Sequence, residues 1–203
     1  MHKFCEFGEV IHERGKQEEK KHGNAWSGCG LISPLLTRGP LHLFMTEKLH
    51  GYVEKLKQEN ADWVTDIKDE LGEVTVIIPR AGIVDVCRFL RNSEGFDLLS
   101  DLCGADRGPE EEPRFEVNYH LFSTTHHDRL RLKVLLSEDD PTVSTVTSLW
   151  RTADWHERET YDLLGVKFEG HPDLRRILLP SDFDGHALRK DYPLRGYEPY
   201  SMN

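Results

Sequence analysis

The sequence predicts an α+β fold, in which a mixed, largely antiparallel sheet with helices on one face is followed by a further helix and a long extended C-terminal tail. Two observations predict it. Apolar and polar residues alternate through 115–136, which is the period of two expected for half-buried strands. After Pro141 the apolar spacing changes to the 3.6 residues of a helical turn. With 203 residues, the chain is long enough for one domain with a core and appendages.

Residues 1–44 differ from the rest of the chain. The run 14–24 is charged and poor in apolar residues, and Gly, Ser and Pro recur as far as Pro40. We expect little fixed structure there, and the segment is either an extension or the product of a start codon assigned too early. Thr46 then fits the N-cap of an amphipathic helix, whose apolar face comprises Leu49, Tyr52, Val53 and Leu56.

Residues 45–164 are predicted to form the folded domain. The hairpin is the clearest element, because its alternation is regular on both strands and requires one buried face and one wet or partner-covered face. The last helix is predicted to end at Gly165, a C-cap residue. The predicted elements are strands over 73–79 and 96–106, a helix over 83–92, a hairpin of 115–123 with 129–136, and a helix near 145–164.

Composition excludes several classes of protein. The formal net charge of −10 argues against a nucleic-acid partner, since such proteins carry a basic stripe. No apolar run is long enough to span a bilayer, and the first residues lack the apolar core of a signal peptide. The four cysteines lie far apart without a CxxC pair, so neither a disulfide framework nor an iron–sulfur cluster is predicted. Reduced thiols in a cytosolic compartment are the simplest interpretation.

The tail, residues 165–203, carries dense but balanced charge. It contains too few apolar residues to form a core of its own, so we expect it to lie on another surface. On the helix before it, Glu157, Arg158, Glu159 and Asp162 are either ion-paired on a wet face or part of a partner-facing surface. Neighbouring aromatic residues favour the second interpretation, since aromatics and arginine are enriched at interfaces; they are Trp150, Trp155 and Tyr161.

Motifs for catalysis are missing from the sequence. There is no GxSxG, P-loop or GxGxxG, and the His156-Glu157 pair fails as a zinc-protease motif because Thr160 stands where the second histidine is needed. We therefore predict no catalytic, cofactor-binding or metal-ligating residue. The spacing of four N-terminal residues, Cys5, His12, His22 and Cys29, matches no usual zinc pattern. A metal hydrolase built on His171, His186 and Asp191 is the less favoured alternative.

Five stretches resemble the signature of one family, the 30 kDa subunit of respiratory complex I, the proton-pumping NADH:quinone oxidoreductase. Ala187 departs from it, because the family often has proline after the second Gly-His pair. The chain ends soon after Tyr197, so the resemblance implies the separate subunit rather than a fused form. The five stretches are WHERE (155–159), DLLG (162–165), GHPDLRRIL (170–178), GH (185–186) and LRKDYP (188–193).

This resemblance implies a peripheral-arm subunit that docks the large (49 kDa) quinone-site subunit and binds no cofactor itself. The complex as a whole uses NADH, FMN, iron–sulfur clusters and a quinone. The implied location is the cytoplasmic side of the bacterial inner membrane, with membrane association only through the complex and no self-contained active site. The equivalent subunit of a membrane-bound hydrogenase, or of another quinone-reducing dehydrogenase, remains an alternative.

The resemblance and the charge pattern together predict which residues face the partner subunit. We expect the basic residues of the tail to pair with the partner's carboxylates. Replacing Arg176 or Arg189 should then weaken assembly and leave the melting temperature of the free chain nearly unchanged. The predicted interface residues are Glu157, Arg158, Glu159, Asp162, His171, Asp173, Arg175, Arg176, His186, Arg189, Lys190 and Asp191.

Overall fold

A computed structural model describes residues 40–70 and 72–194, so the predictions for residues 1–39 lie outside the described residues. Within the described ranges there are three α-helices, two short 3-10 helices and seven strands. The helices are α1 (Pro40–Glu59), α2 (Ile83–Ser93) and α3 (Ala153–Leu164), with 3-10 turns at Ala61–Trp63 and Arg80–Gly82. The strands are β1 (Asp66–Glu70), β2 (Glu73–Ile78), β3 (Leu98–Asp106), β4 (Phe115–Phe122), β5 (Arg129–Leu136), β6 (Thr142–Ser144) and β7 (Lys167–Glu169).

Five of the described strands form one sheet in the order β1-β2-β5-β4-β3. Its pairs are antiparallel except β2 with β5, which run parallel. The predicted mixed, largely antiparallel sheet is therefore confirmed. The predicted hairpin is also confirmed, with Phe115 opposite Leu136 and Phe122 opposite Arg129. The two short strands β6 and β7 pair in parallel beside it, so the start of the tail belongs to a second small sheet.

The core lies on one face of the five-stranded sheet. Buried apolar residues of α1, α2 and α3 form a single cluster with those of the strands, which confirms helices on one face. Gly104 of β3 allows α3 to approach closely. A Cβ at this position would lie 2.5 Å from Leu164 and 2.6 Å from Thr160 of α3. The other face carries polar side chains, and we call it the polar face; it includes Asp101, Cys103, His120, Arg131 and Lys133.

Two predicted helix starts are wrong. The first helix begins at Pro40 and not after an N-cap at Thr46. The last begins at Ala153 and not near residue 145, although its predicted C-cap Gly165 is confirmed with φ 80° and an N–H bonded to the Tyr161 carbonyl. The apolar residues of 146–153 have helical spacing because turns, not a helix, bury them. The Val146 N–H leaves the helical pattern, since it donates to Glu157 Oε1 at 2.8 Å.

Three strands escaped prediction. In β1, Asp66–Glu70, all but one residue are exposed, and the strand contains three acidic residues, so it lacks the apolar alternation that marks a strand. The other two, β6 and β7, have three residues each, which is too short for a period to be visible.

Candidate interaction site

Asp162 of α3 organises the first half of the tail. Its side chain is fully buried, and one oxygen, Oδ2, accepts the backbone N–H groups of Ile177, Leu178 and Leu179 at 3.0, 2.8 and 2.9 Å. The other oxygen, Oδ1, accepts Arg176 Nη1 at 3.0 Å. Burial alone would raise the pKa of Asp162, but these bonds outweigh it and lower the pKa below its ordinary value. Asp162 is thus an ionised anchor for three consecutive residues of the tail.

The end of α3 holds the second half of the tail. The last carbonyls of a helix have no partner within it, and here the tail supplies donors. The Leu188 N–H bonds to the Leu163 carbonyl at 3.1 Å, and Arg189 Nε bonds to the Leu164 carbonyl at 2.7 Å. His186 Nδ1 donates to the Asp162 carbonyl at 2.9 Å. The positive charge of Arg189 also suits the negative end of the helix dipole.

Arg176 and His186 tie the two halves together. Arg176 Nη2 donates to the Gly185 carbonyl at 2.9 Å, so one guanidinium joins α3 to both parts of the tail. Burial lowers the pKa of His186, and the neighbouring Arg189 and Arg176 lower it further, although its bond to the Asp162 carbonyl opposes this. The imidazole is therefore neutral at pH 7 and donates from Nδ1.

A buried arginine outside the tail holds its last described part. The side chain of Arg114 is 1% exposed and grips Asp106 with Nε and Nη2 at 3.0 and 2.9 Å. The same Nη2 reaches Asp191 at 2.7 Å, and Asp106 also accepts the Lys190 N–H at 2.8 Å. Burial alone would raise the pKa of Asp106, but Arg114 and the N–H groups of Lys190 and Gly108 lower it to about 2.

A separate buried cluster secures the beginning of the tail. Glu157 is fully buried and accepts the Val146 N–H at 2.8 Å and the Thr145 hydroxyl at 2.5 Å. Burial raises the pKa of Glu157 to about 7, although these two bonds oppose the rise. The buried ring of His171 lies alongside, with Nε2 4.0 Å from Glu157 and 3.2 Å from Asp154 Oδ1.

Hydrogen bonding fixes the proton position on His171. Its Nδ1 accepts the Asp173 N–H at 3.0 Å, so the ring proton of the neutral form lies on Nε2. That nitrogen is directed at Asp154, whose backbone oxygen lies 3.3 Å away. His171 therefore connects the tail to the first turn of α3.

On the solvent side, α3 and the tail present large exposed side chains. Trp155 is 61% exposed, Leu178 59% and Leu188 60%. The Arg175 side chain is 71% exposed and has a single short ion pair, to Asp173 at 3.0 Å. We call these four residues the exposed set. Arg158 joins two of them, because its guanidinium lies 5.0 Å from the Trp155 ring and its Nε donates to the Arg175 carbonyl.

The predicted interface residues thus fall into two groups. The side chains of one group bond mainly within the chain itself, so the surface that the tail lies on is in the first place its own domain. For this group, contact with a partner subunit stays a prediction; its members are Glu157, Arg158, Asp162, His171, Arg176, His186, Arg189, Lys190 and Asp191. The exposed group is Glu159, Asp173 and Arg175.

The alternative of a metal hydrolase on His171, His186 and Asp191 is not supported. Each of the three side chains has a different partner: Asp154 for His171, the Asp162 carbonyl for His186 and Arg114 for Asp191. Within the part of the chain that the structure describes, they form no common group of potential ligands.

Comparison with known proteins identifies the family. Residues 76–198, more than half of the chain, match the family described as respiratory-chain NADH dehydrogenase, 30 Kd subunit. The chain belongs to this family. Membership confirms the resemblance drawn from the sequence and makes the chain a subunit of a multi-subunit respiratory complex, NADH:quinone oxidoreductase.

Curated relatives agree with the assignment. The chain is 49% identical over 150 residues to the C subunit of NADH-quinone oxidoreductase from Geobacter sulfurreducens, which covers 73% of this chain and 93% of that protein. It is 54% identical over 129 residues to the C 2 subunit of NADH-quinone oxidoreductase from Rhizobium meliloti, which covers 63% and 70%.

Solved structures share the fold. A trypsin-resistant fragment of Nqo5 is similar at a TM-score of 0.54 and 36% identity, covering 61% of this chain and 99% of that one. A chain of the membrane-bound sulfane sulfur reductase, an archaeal respiratory membrane complex, is similar at a TM-score of 0.61 over 72% of this chain and 86% of that one. At 23% identity, this second likeness shows the fold alone.

Sequence reasoning missed the residues that receive the tail. Arg114 and Asp106 lie at the ends of a loop that separates two strands, and Thr145 lies beyond a short strand. The signal for Arg114 was the position of a single arginine directly before a strongly apolar strand, which by itself does not predict burial. Its partners are 8 and 77 residues away in sequence, so only the folded chain brings them together.

Proposed function

We propose that this chain is a docking subunit of the proton-pumping NADH:quinone oxidoreductase and binds the large quinone-site subunit through α3 and the tail. One observation carries the proposal. The tail is fixed to its own domain by bonds on its inner side, which leaves the exposed set directed away from that domain. Fixing the tail beforehand lowers the entropy that association would otherwise cost.

The exposed set has the composition of an interface centre. Aromatic residues and arginine are enriched at such surfaces, and Trp and Arg carry a large share of measured binding energy. Each of the four side chains is on α3 or on backbone bonded to it: the Arg175 carbonyl accepts from Arg158, the Leu178 N–H donates to Asp162, and the Leu188 N–H donates to Leu163. They therefore form one rigid surface.

The subunit is proposed to hold no redox cofactor and no active site of its own. Family membership and the missing nucleotide and cysteine motifs support this role. NADH, FMN, iron–sulfur clusters and quinone would then be bound by other subunits. No helix within the described residues is long and apolar enough to cross a membrane. We propose a peripheral position on the cytoplasmic side of the bacterial inner membrane, held there through the complex.

The related assemblies, a membrane-bound hydrogenase or another quinone-reducing dehydrogenase, use the same surface in the alternative proposal. The names of the curated relatives favour NADH:quinone oxidoreductase, because both relatives are C subunits of that enzyme.

The proposal can be tested by purifying the complex from the bacterium through a tag on the large quinone-site subunit. Trp155→Ala and Arg175→Ala should each lower the amount of this chain retained by about 10-fold or more, as expected for central interface residues. Arg88→Ala on α2, whose side chain is also half exposed, is the matched control and should change nothing. Full retention of both variants, with melting temperatures of the free chain unchanged, would refute docking through this surface.

A further inference from the structure

Three different metal-ligand side chains meet on the polar face of the sheet. Asp101 and His120 are direct partners across β3 and β4, and Cys103 lies two residues along β3 on the same face. The carboxylate oxygen of Asp101, the sulfur of Cys103 and a ring nitrogen of His120 all lie within 4.8 Å of one another. Among the residues that the structure describes, this is the one such group of three.

The spacing of these atoms suits a small divalent ion. Zinc bonds of roughly 2.0–2.3 Å at tetrahedral angles place ligand atoms about 3.3–3.8 Å apart. Small rotations of the three side chains close the remaining gap, because none of them is held in the packed core. We propose that Asp101, Cys103 and His120 bind a divalent transition metal of the zinc class.

The charges around the group favour a cation. Asp101, Glu73 and Glu159 are close enough to act on the group, against the single positive charge of Arg131. Arg131 is itself paired with Glu73, which offsets much of its repulsion. The field at the site is therefore net negative, as a cation site requires.

The protonation states of the ligands also suit a metal. Burial lowers the pKa of His120, and Arg131 lowers it further, so the imidazole is neutral at pH 7 with a free lone pair. Burial and the hydrogen bond to Asp101 raise the pKa of the Cys103 thiol. A metal would take the place of this proton: the S–H bond breaks, a metal–sulfur bond forms, and one proton leaves to solvent.

A fourth side chain comes from the helix layer. His156 Nδ1 of α3 lies 3.6 Å from Asp101 Oδ1. It can fill the position that three protein ligands leave open on a tetrahedral ion, or support Asp101 while water fills it. A bound ion would then join β3, β4 and α3, the helix that carries the proposed docking surface.

This site does not depend on the proposed function, and it amends the sequence-based prediction that no residue ligates a metal. Zinc has no redox chemistry, so the chain would still carry no electrons. The spacing in the sequence does not indicate the group: Asp-x-Cys on one strand and a histidine 17 residues later become neighbours only through the strand register.

The test is a Co²⁺ titration of the full, metal-free chain. Wild type should bind about one ion, with the thiolate-to-cobalt charge-transfer band and the strong visible bands of tetrahedral Co²⁺. Cys103→Ser should lose the charge-transfer band, and His120→Ala should bind at least about 10-fold more weakly. A double variant, Cys5→Ser with Cys29→Ser, is the matched control and should behave as wild type.

Three outcomes would overturn the proposal: no charge-transfer band in wild type, a band that persists in Cys103→Ser, or a band that disappears in the control. Zn²⁺ gives an independent readout, because it should raise the melting temperature of wild type and leave that of Cys103→Ser unchanged. Should Cys103→Ser fail to fold, Asp101→Asn serves in its place, since Asp101 is half exposed. It should lower the affinity, and an unchanged affinity would overturn the proposal.

Discussion

Arg176 Nη1 lies 3.0 Å from Asp162 Oδ1, and both residues belong to the same chain. This pair changes what the arginines of the tail are expected to do. The charge pattern predicted that Arg176 and Arg189 would leave the stability of the free chain untouched. Arg176 instead pairs with a fully buried carboxylate, and Arg189 bonds to the last carbonyl of α3.

Arg176→Ala should therefore lower the free energy of unfolding of the isolated chain. Asp162 keeps its three N–H donors, so we expect a loss of about 1–3 kcal/mol rather than unfolding. Arg175→Ala, one residue away, removes only an exposed ion pair with Asp173 and should change the stability by less than about 1 kcal/mol. Urea denaturation of both variants measures the difference, and equal midpoints would contradict the role of Arg176.

Arg114→Lys should loosen the far part of the tail. Lysine keeps the charge but cannot hold Asp106 with two nitrogens while it reaches Asp191. We expect the Lys190 amide, which donates to Asp106, to exchange with solvent about 10-fold faster or more. Hydrogen exchange followed by NMR provides its own control, because the Leu178 amide is held by Asp162 and should keep its rate.

Glu157 should make the protein less stable as pH rises. Its folded pKa of about 7 lies above the ordinary 4.5, so between these values the unfolded state loses the proton while the folded state keeps it. Stability is then full below about pH 4.5 and falls until about pH 7, by on the order of 3 kcal/mol. The neighbouring Asp154 carboxylate adds to the shift.

Glu157→Gln removes this titration and retains an acceptor for the Val146 N–H. The stability of this variant relative to wild type should rise across the same pH range, measured as the urea midpoint at several pH values. Glu159→Gln, an exposed change two residues away, should follow wild type. A constant difference between Glu157→Gln and wild type at all pH values would show that Glu157 does not titrate there.

Two glycines offer an opposed pair of tests for the packing of α3 on the sheet. Gly104→Ala places a Cβ 2.5 Å from Leu164 Cδ1, so it should destabilise the fold by about 1–3 kcal/mol. Gly51→Ala in α1 meets no atom within 4 Å and should stabilise it by about 0.5–1 kcal/mol. Thermal unfolding should give opposite signs, and a tolerated Gly104→Ala would mean that α3 does not depend on this contact.

The parts of the fold that the sequence predicted are those whose signals are local. The hairpin has a strict period of two because its residues alternate between the core and the polar face, and α2 has a clear apolar stripe. The start of α3 was missed because turns around Val146 repeat the helical spacing of apolar residues. The edge strand β1 has almost no buried residue, so nothing in its composition marks it as a strand.

The site was predicted only in its membership. The charges of the tail marked Asp162, Arg176 and Asp191 as important, but charge alone does not tell whether an arginine meets its own chain or a neighbour. That choice depends on contacts between residues 14 to 84 positions apart, such as Arg176 with Asp162 and Lys190 with Asp106. Burial decides it, and burial of a polar tail is invisible in a hydropathy pattern.

The central claim is that α3 and the tail dock the large quinone-site subunit through the exposed set. Replacing Trp155 with a photo-crosslinking amino acid in the intact respiratory complex tests it most directly, because this side chain is 61% exposed in the free chain. The same replacement at Arg88 of α2 provides the background. The account predicts a cross-link from position 155 to the large quinone-site subunit, identified by mass spectrometry, with none to that subunit from position 88. A cross-link from position 155 to a different subunit, or to none in the assembled complex, would contradict it.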